Sequence, residues 1–386
     1  MYAQLTQTKF LYFFKEDAFM RSLLKFGEPS EAGLNPEKLL KALKVLEGGV
    51  RDGVYPGFVA LVARRGVIAL HEARGYAQLI PEVRPMAREA VFDLASITKP
   101  VCTTTLTLKM VEKGLLSLES PLSEFLDGWS REWRKNVRIK HLLTHSSGLP
   151  AWLPLYKTCK SKNEFLNVIT QLNCEYEPGS RVVYSDLGFI LLGFILETIS
   201  GLSLDRLSKN EIFEPLKMSE TTFKPAGLLK AKAVATENCP WRGRVLVGEV
   251  HDENAYALGG VAGHAGLFST AYDLAVFSQM MLNRGCYGSV RILGEATVEK
   301  AVEVWVEDSS KRFGLGWAKP VEWPLPYDSY GHTGFTGTSI LINTKLDLFA
   351  VLLTNRIHPS RNNPACLRIN DVRTVFHNLL VEAVVD

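Results

Sequence analysis

The chain lacks most of the features that announce a specialised architecture. Its six cysteines (Cys102, Cys159, Cys174, Cys239, Cys286 and Cys366) form no Cys-x-x-Cys pair and no cluster with metal-ligand spacing. They read as free thiols of a reducing compartment, not as a disulfide framework. Neither sign of charge dominates: 44 Lys plus Arg stand against 41 Asp plus Glu. With no basic run interleaved with aromatics, nothing supports nucleic-acid binding. The longest internal apolar stretch, Leu187 to Leu196, is about half of the ~20 residues a spanning helix needs, so no membrane span is predicted. At the amino terminus, Phe10 to Phe14 between Lys9 and Lys15 is shorter than the ~7–15 residues of a signal-peptide core. The expectation is a cytoplasmic chain, or a periplasmic one if the amino terminus is mis-assigned; Met20 is an alternative start, with residues 1–19 an extension. No internal repeat or low-complexity segment is evident.

What is present fits an ordinary globular protein. Hydrophobic residues make up 46% and charged residues 22% of the 386, enough for a substantial core in one large domain or two intimate ones. Asn35 to Val50 has helical spacing, with Pro36 at a first-turn position. Phe58 to Ala63 and Val67 to Ala73 flank Arg64-Arg65-Gly66 and predict a β-hairpin. Ile97 to Lys113 predicts a helix that tolerates Pro100 in its first turn, where amides lack intrahelical acceptors. Helical signals then dominate to about Leu229, including Leu187 to Ser200 with Ser185 as N-cap and Gly201 at its end. Helices over Ala271 to Leu282, Gly294 to Val304 and Ala365 to Val384, and strands over Gly314 to Trp317, Ser339 to Ile342 and Leu348 to Thr354, complete the chain. A helical region thus lies between sheet-forming halves.

Three short signatures carry the chemistry: Ser96-Ile97-Thr98-Lys99, Tyr184-Ser185-Asp186 and His332-Thr333-Gly334. Residues three apart share a helix face, so Lys99 can reach the Ser96 hydroxyl and accept its proton, which requires a neutral amine with a lowered pKa. Ser-x-x-Lys alone is a weak signal, since Ser22-Leu23-Leu24-Lys25 repeats it as a helix surface pair. The other two are sharper. Among 12 tyrosines only Tyr184 is followed two places on by Asp or Asn, and no other His/Lys-Thr-Gly exists.

In this order the motifs resemble those of the serine β-lactamase and penicillin-binding protein superfamily, particularly its class C branch with low-molecular-mass penicillin-binding proteins and related esterases. His141 to Gly148, His251 to Ala255 and Gly263 to Phe268 are similar to that branch as well. The resemblance covers roughly residues 30 to 380. It implies an α/β (α+β) fold, an antiparallel sheet flanked by helices, with an α/β part (30–105 and 240–386), a mainly helical insertion (106–239) and an extension (1–29). Ser96 would be the acylated nucleophile, Lys99 its proton acceptor and Tyr184 a proton shuttle. The backbone amides of Ser96 and Phe335 would form the oxyanion hole, and Asp186, His332, Thr333 and Gly334 would contact substrate. No cofactor and no metal is implied. The partner would be a small molecule or peptide, β-lactams among the candidates.

Two positions depart from efficient β-lactamases. His332 replaces a lysine and is neutral for much of the time near pH 7, and Asp186 replaces an asparagine with a group that only accepts. Within a serine hydrolase acting through an acyl-enzyme, D-alanyl or muropeptide peptidase and carboxylesterase therefore rank ahead of β-lactamase. A non-turnover penicillin-binding sensor or scaffold is the alternative.

Other residues invite functional readings with plainer ones beside them. Gly259 to Gly266 lacks the Gly-Lys-Ser/Thr of a phosphate loop and reads as a tight segment near the cleft, with His264 a hydrogen-bonded structural histidine. His141 and His145 have zinc-like spacing without the Glu of His-Glu-x-x-His, and read as a helix end held by hydrogen bonds. His251, Asp252 and Glu253 are adjacent, so their side chains diverge. Cys102 reads as a packed thiol, and Trp152, Tyr156 and Trp317 as rim or core.

Overall fold

The computed structural model describes residues 22–130, 132–309, 311–319 and 328–385. The Phe10 to Phe14 run and Met20 lie outside them.

The two-residue connection at Arg65 and Gly66, both at positive φ (51° and 76°), joins Gly57–Arg64 to Val67–Gln78 in an antiparallel hairpin. Its geometry suits the right-handed twist of the strands. Leu348–Thr354 pairs on the other side of Gly57–Arg64, and Ser339–Asn343 and Ser329–Thr333 follow outward, all antiparallel. Short strands at 318–319, 312–313 and 306–307 extend that edge, and Lys25–Phe26 adds a parallel strand at the opposite one. The sheet is therefore drawn from the two ends of the chain.

The central strands read as unbroken apolar runs because both of their faces are covered. Phe58, Ala60, Val62, Leu348, Ala350 and Leu352 point to one side, where helices Pro36–Arg51 and Ile369–Glu382 pack on each other. Val59, Leu61, Ala63, Phe349, Val351 and Leu353 point to the other, toward helix Ala271–Leu282 and the helical region beyond it. A period of two within each strand thus feeds two cores.

Between the sheet-forming ends lie helices Lys162–Gln171, Asp186–Ser200 and Leu204–Ser208. Asp186–Ser200 is capped as its sequence predicts. Ser185 Oγ accepts from Gly188 N, and Gly201 takes the left-handed conformation at φ 66°. Leu187 to Gly193, Ile195 and Leu196 of that helix are buried, which explains its apolar run. No single described helix is long and apolar enough to cross a membrane.

Three local expectations fail. Gly314 to Trp317 is a turn between the short strands 312–313 and 318–319, because Gly316 adopts φ 71° and breaks the extension. Ser22 to Lys25 is not helical: Lys25 is hydrogen-bonded into the sheet edge. The helix over Ile97 to Lys113 opens as a 3₁₀ turn, widens to a π-helix over Lys99–Thr104, and becomes α-helical only at Thr105–Glu112. Pro100 offers no N–H to a normal first turn, and wide turns of this kind often mark functional sites. All six cysteines are unpaired.

Candidate active site

The site is built where the opening of that helix meets the edge of the sheet. Ala95 sits at φ 47°, an uncommon conformation for a residue with a Cβ, and such a position costs on the order of 1–3 kcal/mol unless its surroundings fix it. Here Asp93 does so: its Oδ1 accepts from Ala95 N at 2.9 Å. The turn lifts Ser96 to the surface of a cleft while Lys99, one helical turn on, is fully buried.

Lys99 Nζ donates to Ser96 Oγ at 3.0 Å and to the His264 carbonyl at 3.0 Å, and it forms an ion pair with Asp186 Oδ1 at 2.7 Å. An ammonium has three N–H donors, and three acceptors surround this one. Burial is the strongest single influence and works against its charge, but Asp186 and Tyr184 together outweigh it and the pKa of Lys99 is raised. The sequence argument required the opposite direction. It weighed desolvation and assigned Asp186 to substrate, whereas the structure turns Asp186 onto the lysine from the first turn of its helix.

Tyr184 places its ring 4.8 Å from Lys99 Nζ. Burial pushes the phenol's pKa upward and the charge of Lys99 only partly offsets this, so Tyr184 holds its proton. Its hydroxyl has no aligned hydrogen-bond partner. Against the same ring packs His145, with centroids 4.3 Å apart, and His145 Nδ1 accepts from Ser185 N at 3.0 Å. Burial, then Lys99, hold His145 well below its ordinary pKa, so it packs as a neutral ring. His141 Nδ1 accepts from Arg138 N at the start of its own helix. The two histidines thus hold backbone and face different partners.

His332 lies on strand Ser329–Thr333 at the cleft edge. Its Nδ1 is 2.9 Å from the Thr333 carbonyl. A carbonyl only accepts, so Nδ1 carries the hydrogen and Nε2 is bare. Burial and then Lys99 lower its pKa to about 3, and it adds no positive charge at neutral pH. Gly334 follows where a Cβ would overlap the Leu94 carbonyl, which lets the strand end lie directly against the turn that carries Ser96.

Ser96, Tyr184, His332, Thr333, Gly334 and Phe335 all line one cleft of about 630 Å³, a size typical of small-molecule sites. Asp186 lies beneath it, on Lys99. The far wall carries Lys311, Arg312, Lys319, Arg356 and Arg373, and no carboxylate lines the described cleft.

The glycine-rich segment runs behind Lys99. A Cβ on Gly263 would overlap the Phe189 carbonyl, and Thr103 Oγ1 donates to Gly263 O at 2.6 Å. His264 Nε2 is 2.8 Å from Asp252 Oδ1, which fixes the chain whose carbonyl faces Lys99. His251, Asp252 and Glu253 do diverge: His251 faces Glu237 and Arg361, Asp252 faces His264, and Glu253 pairs with Arg361. Among the described residues no group of His, Cys, Asp and Glu is arranged to hold a metal. Trp317 is core, packed edge-on against Tyr330, while Trp152 is exposed and Tyr156 packs on Trp241. None of the three lines the cleft.

A family model described as Beta-lactamase matches residues 42–371. The chain belongs to the β-lactamase family. It is 32% identical, over 85% of this chain and 83% of the relative, to an N-acetylmuramyl-L-alanine amidase of Bacillus subtilis. It is 33% identical, over 89% and 88%, to a protein of Salmonella typhimurium provisionally named D-alanyl-D-alanine carboxypeptidase. Its fold is shared with an octameric penicillin-binding protein homologue from Pyrococcus abyssi, with a TM-score of 0.71 at 23% identity over 89% of this chain and 77% of that one. The motif order had indicated this family, and the chain is a serine hydrolase of that superfamily.

Sequence reasoning missed Asp93 and the backbone role of His264, and it read His145 and Asp252 without placing them beside Tyr184 and behind Lys99. Only Asp93 left a signal, as an Asp two residues before a turn. The others depend on which segments the fold brings together.

Proposed function

We propose that the chain cleaves carboxylate-bearing amides of the D-alanyl peptide class through an acyl-enzyme on Ser96. The observation that carries this reading is the set of five cations lining the same cleft as Ser96, with no carboxylate among the described lining residues; of the five, only Arg312 also pairs with a described carboxylate outside the cleft, that of Glu307. A substrate ending in a free carboxylate gains from such a wall when the cleft excludes water. A small neutral ester does not. The Salmonella relative's name, a D-alanyl-D-alanine carboxypeptidase, supports the same substrate class, and the Bacillus relative's name, an amidase, supports amide cleavage.

The proton chemistry follows from the contacts. A charged Lys99 cannot accept a proton, so its own passes first to Asp186, 2.7 Å away, leaving a neutral pair. Conversion of a buried ion pair to its neutral form relieves the cost of holding two charges in a low dielectric. The freed amine then takes the Ser96 proton as Oγ bonds to the acyl carbon. Tyr184, still a phenol, gives its proton to the departing nitrogen and regains one through Lys99. Water repeats the sequence on the acyl-enzyme, and Ser96 leaves with its proton restored. The intact Ser96, Lys99, Asp186 and Tyr184 set favours turnover over a sensor that acylates and stops.

The test compares N-acyl-D-Ala-D-Ala with its carboxy-terminal amide and with p-nitrophenyl acetate, in wild type and in Arg373→Gln. A charged contact worth about 1.5–3 kcal/mol corresponds to roughly 10–150-fold in kcat/KM. The free acid should be preferred by a factor in that range, and Arg373→Gln should reduce the preference. Equal rates on acid and amide would remove the carboxylate from recognition and leave an esterase reading in its place.

A further inference from the structure

Asp93 touches neither the cleft nor Lys99, yet three ties leave it toward the two segments that carry the oxyanion amides. Through Oδ1 it accepts from Ala95 N at 2.9 Å, which fixes the turn preceding Ser96. Through Oδ2 it accepts from His251 N at 2.7 Å, and the His251 ring stacks on the Phe335 ring with centroids 5.6 Å apart and planes 19° apart. Through its own carbonyl it accepts from the hydroxyl of Thr336, the residue after Phe335, at 2.7 Å. The side chain is 2% exposed. Phe335 is otherwise held at its carbonyl by Arg356 Nε at 2.8 Å, and its amide has no partner among the described residues.

An oxyanion hole works only if both donors reach one oxygen at about 2.7–3.1 Å, and losing one such donor costs about 10²–10³ in kcat. Here the two donors lie on chains more than two hundred residues apart in sequence, and each is exposed to movement on the cleft side. One buried residue bonded to both chains can set the gap between them.

We propose that Asp93 is the positioning residue of the oxyanion hole, holding the Ser96 and Phe335 amides at the separation that a tetrahedral oxygen requires. This rests on the reading that Ser96 is the acylated nucleophile. Asp93 accepts no proton from substrate and touches no reacting atom. Its effect falls on the transition state, where the oxygen becomes an anion, and hardly at all on ground-state binding.

The experiment uses Asp93→Asn, whose amide nitrogen cannot accept and so loses one of the two side-chain ties, and Thr336→Val, which removes the third tie while keeping shape. Each is assayed for kcat and KM on a p-nitrophenyl ester, and for inhibition by phenylboronic acid, which forms a tetrahedral adduct on the serine and so reports on the hole itself. Fluorophosphonate labelling at Ser96 is the control. For Asp93→Asn the expected result is kcat lowered by about 10–10³-fold with KM within about threefold, and boronate affinity lowered in parallel with kcat/KM. Thr336→Val should follow the same line with a smaller loss. If wild type does not label at Ser96, the nucleophile assignment itself fails. If wild type labels and turns over while a folded Asp93→Asn or Thr336→Val binds boronate as wild type does, the positioning role of Asp93 is overturned. Should Asp93→Asn not fold, unchanged boronate affinity in Thr336→Val overturns it alone.

Discussion

Lys99 reaches Ser96 Oγ at 3.0 Å and Asp186 Oδ1 at 2.7 Å with the same nitrogen. Ser96 and Asp186 are therefore linked through one shared amine, and in the proposed mechanism the carboxylate decides whether that amine is free.

The first consequence is a dependence on pH in Asp186→Asn. In wild type the pair keeps one proton throughout, on Lys99 at rest and on Asp186 during attack, so neutral solution suffices. With asparagine in place, Lys99 must lose its proton to solvent before it can act. Asp186→Asn should lose about 10²–10⁴ in kcat at acidic to neutral pH, the usual scale of general acid–base catalysis, and recover as pH rises. Acylation rates measured from pH 5 to 10 check this. A loss of equal size at every pH would mean that Asp186 only props the site.

The second concerns stability. Lys99 is fully buried and the Asp186 side chain is 19% exposed, so removing one partner strands the other charge. Lys99→Met should destabilise the fold by about 3–5 kcal/mol, and Lys99→Met with Asp186→Leu should recover most of that. Urea unfolding of both variants decides it, since a double variant no more stable than the single one would show that the pair is not coupled.

Much of this arrangement was legible in the sequence, and the boundary is physical. Ser96, Tyr184 and His332 fall together in the cleft because short motifs report local backbone: a helix opening, a capped helix start, a strand end beside a glycine. The hairpin, the strands at 339–342 and 348–354 and the helix capped by Ser185 and Gly201 were equally local. What pattern could not supply was the direction in which a side chain turns. Asp186 was read as facing substrate because the resemblance carried that role to the third position of Tyr184-Ser185-Asp186, while its distance from Lys99 was not visible. Asp93, Asp252 and His145 act on backbone groups from 2 to more than 150 residues away, and no periodicity encodes those meetings.

A third consequence is a loss of stability on acidification. Burial lowers the pKa of His141 to about 4 and those of His332 and His377 to about 3, against about 6.5 when unfolded. Between these values the unfolded chain binds more protons than the folded one, so stability falls as pH drops from about 6.5 toward 3. Asp273, raised from 3.8 to about 6 by burial, contributes in the opposite sense between those two values. Burial also raises Asp93 and Asp347 and lowers His71, His145 and His358, so six histidines stand against three carboxylates and Tm should decline below pH 6.5. A Tm unchanged down to pH 4.5 would contradict the burial of these rings.

The account stands most directly on one covalent bond. Intact-mass spectrometry after treatment with a fluorophosphonate should show a single adduct per chain, mapped by peptide digestion to Ser96 and absent in Ser96→Ala. Labelling at Cys102 or Ser22, or an adduct that persists in Ser96→Ala, would contradict it.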